Sequence, residues 1–181
     1  MRIFPEKGPV NSVATMELAV SKAKELSIRH LVVASNSGDT ARLFLDKGLE
    51  VTCVTHHVGH RNPGEDEMPL AVRQELQEKG VKILTTTHLF AGIERGYNAK
   101  FSGFGPVYIT ASTLRMFGQG TKVAIEVAIM ALDAGLIPYG EDIIAIGGSG
   151  RGADAAVVLR PAHANRFTET VIREIICKPY V

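Results

Sequence analysis

The stretch Leu31-Val32-Val33-Ala34-Ser35-Asn36-Ser37-Gly38-Asp39-Thr40 constrains the fold most, because an apolar run stops at a short polar loop and restarts as Ala41-Arg42-Leu43-Phe44-Leu45. β-branched residues bounded by turn formers read as a buried strand, and the segment after Thr40 reads as a helix. A phosphate fits that junction. The first turn of a helix offers backbone N–H groups without partners and the positive end of its dipole. Ser35, Ser37 and Thr40 add hydroxyls, and Gly38 lets the backbone come close. An ordinary strand-to-helix turn capped by Ser or Asp uses the same residue types. A second glycine-rich loop that also follows a strand favours the ligand reading.

The alternation recurs along the chain. Asn11 or Ser12 caps a helix with Val13, Met16, Val20, Ala23 and Leu26 on one face, leading into the strand from His30 to Ala34. A helix over 41–47 ends at Gly48, and Val51–Thr55 is the second strand. A polar loop from His56 to Met68 precedes a helix that starts at Pro69 and stops at Gly80, followed by strand three over Val81–Thr85. From Thr86 to Phe104 the periodicity weakens into a long functional or covering loop. Pro106 opens a helix through Leu114 to Phe117, and Thr121–Ala134 is the most apolar helix, expected to be buried on most sides. Ile143–Ile146 is strand four. Ala155–Leu159 follows after too few residues for a crossover, so it runs antiparallel to strand four. A last helix is expected over Arg166–Ile176.

Strands alternating with helices predict one α/β domain over residues 1–181, a three-layer α/β/α arrangement with a mostly parallel sheet of five strands. Ligands in such sheets sit beyond the carboxyl ends of the strands. Twenty Lys and Arg against nineteen Asp and Glu leave a formal net charge of +1, so neither nucleic acid nor an anionic membrane is the expected partner. No apolar run approaches the roughly 20 residues of a membrane span, and Met1–Pro9 lacks a signal-peptide core, so a cytoplasmic location is expected. Cys53 and Cys177 read as buried thiols.

The second candidate loop is Gly147-Gly148-Ser149-Gly150-Arg151-Gly152-Ala153-Asp154. It satisfies the dinucleotide fingerprint formally, but the chain then enters a strand rather than a helix, which removes a Rossmann site. Two readings remain: backbone amides and Arg151 meeting a phosphate or planar ring, or a tight hairpin. His56-His57-Val58-Gly59-His60, with Glu65, Asp66 and Glu67 beyond, has no metal-ligand spacing, so no metal is expected and a lid histidine that bonds a ligand is preferred. Ser149 lacks the last glycine of a nucleophile elbow. Lys122 either meets an anion at a helix start or points to water. Glu126 and Asp133, seven apart, read as a stripe facing solvent or a second copy of the chain.

Ser35-Asn36-Ser37-Gly38-Asp39-Thr40-Ala41 resembles the phosphate loop of the C-terminal domain of pyruvate kinase. The chain is also similar, over almost its whole length, to a small prokaryotic family of free-standing proteins like that domain. Gly8-Pro9-Val10-Asn11-Ser12, Val33-Ala34-Ser35, His56-His57-Val58-Gly59, Leu114-Arg115-Met116-Phe117-Gly118-Gln119-Gly120 and Gly147–Asp154 carry that likeness. It implies an α/β/α fold with an antiparallel edge strand and a ligand of the flavin mononucleotide (FMN) type. The phosphate would lie on Ser35–Thr40 and the ring toward His56, Gln119 and Gly147–Arg151. Asp39 departs from the kinase pattern, where a cation is common, which disfavours a sugar bisphosphate. The catalytic barrel is absent, so no reaction and no catalytic residue follow. The first expectation is therefore a binding protein for a phosphorylated small molecule, FMN first. An FMN-dependent oxidoreductase and a flavin-free sensor of phosphorylated metabolites are the alternatives.

Overall fold

The computed structural model describes residues 1–180. Its strands are β1 (Arg2–Phe4), β2 (His30–Ala34), β3 (Glu50–Thr55), β4 (Lys82–Thr85), β5 (Ile143–Gly147), β6 (Ala155–Arg160) and β7 (Val171–Pro179). Its helices are α1 (Ser12–Leu26), α2 (Asp39–Arg42), α3 (Leu70–Glu78), α4 (Gly92–Phe101), α5 (Pro106–Arg115) and α6 (Gln119–Asp133). Short 3-10 turns cover Pro9–Asn11 and Ala164–Glu169.

The sheet order is β1-β7-β6-β5-β2-β3-β4. β2 pairs in parallel with both β3 and β5, and Val33 stands opposite Cys53 on one side and Ile146 on the other. β6 is antiparallel to β5, as its short connection requires, and Gly147 faces Ala155 at that turn. The five expected strands all form. The sheet nevertheless has seven, because β1 and β7 extend it past β6, which is flanked rather than terminal.

Two cores close the layers. Ala19 and Ala23 of α1, Leu76 of α3, Ala41 and Phe44 pack with Leu31, Val33, Cys53, Ile144 and Ile146. On the opposite face Ala124, Val127, Ala128 and Ile129 of α6 pack with Val32, Val54, Ile143, Ala145 and Val157. Successive β2 residues thus serve opposite cores, which explains a strand without a polar face. No helix among the described residues is long and apolar enough to cross a membrane.

Several elements differ from expectation. The helix expected over 41–47 is the four-residue α2, because the chain turns away through left-handed Asp46 and Gly48. The buried face of α1 is Thr15, Ala19 and Ala23, while Val13 and Leu26 are exposed. The helix expected over Arg166–Ile176 is instead a 3-10 turn followed by β7, whose β-branched residues pair with β6 through two register irregularities that mask a period of two. The loop over 86–104 contains α4, which buries none of its residues and so leaves no apolar stripe directed at the core.

Candidate functional site

β2 leads through α2 to β3, while β5 is reached from β4 through helices of the other layer, so the chain diverges to opposite faces between β2 and β5. Such divergence opens a crevice at the carboxyl ends of the strands. Here it is a cleft of about 900 Å³ that includes Ser35, Asn36, Ser37, Asp39, Thr40, His56, Gly148 and Arg151 in its wall. The two loops singled out in the sequence therefore meet at one end of the sheet. Pro9, Ser12 and Val13, at the start of α1, also lie in that wall. α2 is one turn long and has little dipole, whereas α1 is a 15-residue helix with its N-terminus at this cleft.

Within the first loop, the Ser37 hydroxyl donates to Asp39 Oδ2 at 2.7 Å, and Arg42 Nη1 donates to Asp39 Oδ1 at 3.0 Å. Arg42 also reaches Glu75 of α3 at 2.7 Å, which ties the loop to that helix. Gly38 has φ +87°, and a Cβ there would lie 2.6 Å from Val72 and 3.1 Å from Leu76. The close approach that calls for glycine is thus to α3 rather than toward the cleft.

His56 joins this loop to the segment over 56–68. Its backbone N–H donates to Asn36 Oδ1 at 2.8 Å, and Asn36 Nδ2 donates to the ring Nε2 at 3.1 Å. Nδ1 then carries the proton and donates to Glu67, which also accepts from Arg61 at 2.7 Å. Burial pushes the Glu67 carboxyl up, but the His56 hydrogen bond and the charge of Arg61 outweigh it and hold the group below its ordinary value. Both ring nitrogens of His56 are committed within the protein, contrary to the expectation of a ligand-bonding histidine at this position. His60 stacks on the His56 ring at 3.7 Å between centroids.

His88, passed over in the sequence, also lines the cleft. Its Nε2–H donates to the Thr55 carbonyl at 3.1 Å, leaving Nδ1 with no partner among the described residues. Burial lowers the pKa of both His60 and His88. Nothing in local sequence marks His88, because β3 and the chain after β4 bring it to His56 only in the fold. No cluster of three or more His, Cys, Asp or Glu among the described residues could hold a metal ion.

The second loop is held from below. Asp154 is fully buried, and its Oδ2 accepts the N–H groups of Gly8 at 2.8 Å and Ser149 at 3.2 Å. The Ser149 amide is therefore taken, contrary to the expectation that it faces a ligand. Ser12 Oγ accepts the Ala153 N–H at 2.9 Å, fastening the start of α1 to the same turn. A Cβ on Gly147 would lie 2.1 Å from the Gly120 carbonyl, so Gly147 serves the contact of β5 with α6. Arg151 is exposed on the rim and makes no ion pair among the described residues.

Gln119 and Lys122 stand outside the cleft wall. Gln119 accepts from Arg115 Nε at 2.9 Å. Lys122 neither meets an anion at the helix start nor points to water. It is buried against Glu126 and lies 5.1 Å from the Phe90 ring centroid. Burial lowers its pKa, and Glu126 opposes that shift. Glu126 is 1% exposed and accepts the Phe90 N–H at 2.8 Å, so the Glu126–Asp133 stripe does not exist as a surface. A shallower cleft of about 700 Å³ lies between Asp133, Tyr139 and His163 at the other end of α6, away from both loops.

A family model described as pyruvate kinase, alpha/beta domain, matches residues 13–159. Similar solved structures include a pyruvate kinase from Cryptosporidium parvum, 16% identical over 82% of this chain and 22% of that one, with a TM-score of 0.45. A second structure of Cryptosporidium parvum pyruvate kinase is 18% identical over 75% of this chain and 20% of that one, at a TM-score of 0.38. A third, in complex with ADP, is 16% identical over 93% and 24%, at a TM-score of 0.41. This chain spans no more than 24% of the length of those enzymes.

Proposed function

This chain belongs to the pyruvate kinase alpha/beta domain family, and from that premise we propose that it binds a phosphorylated planar ligand, FMN first, in the cleft at the carboxyl end of its sheet. The carrying observation is the convergence of Ser35–Thr40, the start of α1 and Arg151 on one cleft of about 900 Å³. That volume lies within the range of small-molecule sites. The hydroxyls of Ser35 and Thr40 and the Arg151 guanidinium are donors a phosphate can use, and the N-terminus of α1 adds the positive end of its dipole, the Ser12 N–H itself being given to Pro9 O. His56 and His88 are the rings in that wall available to a planar group.

The residues present fit FMN in size and donor chemistry. Bound flavin would supply hydride or electron transfer. No residue is assigned to catalysis, since His56 has both nitrogens engaged and no nucleophile pattern surrounds His88.

One observation favours a flavin-free reading: the cleft wall contains no Phe, Tyr or Trp, and imidazole is its only aromatic ring. A sensor of phosphorylated metabolites needs the phosphate donors and no stacking platform. Titration with FMN, riboflavin and inorganic phosphate, followed by flavin fluorescence and thermal shift, separates these readings. FMN should bind at least about tenfold more tightly than riboflavin, because charge-assisted hydrogen bonds to phosphate contribute roughly 1.5–3 kcal/mol. Stabilisation by inorganic phosphate with no flavin binding would favour the sensor, and equal affinity for FMN and riboflavin would remove the phosphate seat.

A further inference from the structure

The carboxylates in the wall of the main cleft are largely committed within the protein. Asp39 accepts from Ser37 and Arg42, Asp66 from the Met68 N–H and Arg73, and Glu67 from His56 and Arg61. Glu65, the fourth, accepts from Asn62 and is exposed. His88 is different. A carbonyl oxygen can only accept, so the 3.1 Å contact with Thr55 fixes the ring proton on Nε2 and leaves a lone pair on Nδ1. Among the described residues the buried side-chain polar atoms without a partner are His30 Nδ1 and Asp154 Oδ1. The unpartnered Nδ1 of His88 is therefore accessible, on a ring that lines the cleft. Burial lowers the pKa of this ring, which keeps it neutral and an acceptor at neutral pH.

We infer that His88 selects the ligand by accepting, at Nδ1, a hydrogen bond from an N–H or O–H on its planar end. The inference rests on the phosphate seat proposed above and adds the chemical class of the opposite end. β2, β3 and β4 are consecutive parallel strands, so Ser35, His56 and His88 follow them in a row at one end of the sheet. Two strand spacings put His88 roughly 10 Å from the Ser35 loop, a gap that a phosphate joined to a ring by a short chain can bridge. The ring is also fixed before any ligand arrives. Thr55 has its hydroxyl 2.7 Å from that of Thr85, which accepts from Arg73 at 2.9 Å. Two residues beyond His88, the Phe90 N–H donates to Glu126 at 2.8 Å, and Lys122 neutralises that carboxylate. A buried pair adds little to stability as such, and here it fixes the backbone that carries His88. An acceptor held in place loses little freedom on binding. FMN meets its requirement through the imide N–H of the ring.

The test compares FMN with FMN methylated at the imide nitrogen, on the full chain and on its His88→Phe variant. The unmodified chain should bind FMN about five- to tenfold more tightly than the methylated form, which has lost the donor. Phenylalanine keeps a ring without an acceptor, so in His88→Phe the preference should fall below about twofold. The added methyl crowds either ring alike, which separates the lost hydrogen bond from bulk. A second readout needs no variant and stands whatever its fold. The nitrogen NMR signal of His88 Nδ1 in labelled, unmodified protein should move upfield with FMN and hardly at all with the methylated form. Equal affinity for the two forms, a preference that survives His88→Phe, or an unmoved Nδ1 signal overturns the role of His88 and leaves the phosphate seat standing. Failure of FMN to bind at all overturns the seat and this role together.

Discussion

At the residue scale, the glycines and cations of the two loops divide between packing and binding, which makes them separable by substitution. Gly38→Ala places a Cβ against Val72 at 2.6 Å in a left-handed backbone. It should cost about 1–3 kcal/mol of stability, as overpacking does, measured by urea unfolding. Arg151→Ala should leave urea unfolding within about 0.5 kcal/mol of the parent, as exposed substitutions do. It should nevertheless weaken FMN binding about tenfold by losing a charge-assisted bond. A loss of stability on Arg151→Ala would mean that the side chain serves the hairpin. The residue types of both loops were legible in sequence, because Ser, Thr and Gly after a strand signal a turn with donors. Their directions were not: the partners of Gly38 and Gly147 are α3 and α6, both remote in the chain, and the Ser149 amide turns to Asp154 of its own loop. Lys122 and Glu126 were misjudged because each was weighed without the other: opposite charges four apart on a helix expected to be buried are the signal of an enclosed ion pair.

At the scale of elements, the segment over 56–68 is the part of the cleft wall held through an ionisable group. Its anchor is the His56–Glu67–Arg61 group, and Glu67 titrates below the 4.5 of an ordinary glutamate. A depressed carboxylate contributes stability that is fully present above its unfolded-state value and is lost as pH falls through its folded-state value. Amide exchange in residues 57–67 should therefore hold steady from neutral pH to about 5 and accelerate below the usual carboxylate range, relative to β2 and β5. Glu67→Gln should remove most of that pH dependence. Exchange that accelerates equally in β2 would show global acid unfolding instead of release of this segment. Strands β2 to β6 were readable because their apolar runs are bounded by Gly, Pro and Asp. β7 was not, since its register irregularities let the same Val and Ile residues fit a helical spacing. α4 escaped because its apolar residues Ile93, Tyr97 and Phe101 are interspersed with glycine and polar residues, which read as loop, and none of them reaches the core.

At the scale of the whole molecule, the architecture explains why loops 112 residues apart in sequence, at Ser35 and Gly147, lie together. Parallel β2 and β5 are neighbours, so both strands end at the same height, where β2 passes into α2 and β5 turns back through its hairpin to β6. The start of α1 joins them because a helix that runs back along a parallel strand places its N-terminus at the carboxyl end of the sheet. The central claim is that one anionic group is held there by main-chain amides from separate loops. Amide chemical shifts recorded while FMN is titrated into isotopically labelled protein test it most directly. Asn36–Thr40, Ser12–Ala14 and Gly150–Gly152 should shift together and saturate at one concentration. Shifts confined to Asp133, Tyr139 and His163 at the far cleft, or none in either loop, would contradict the account.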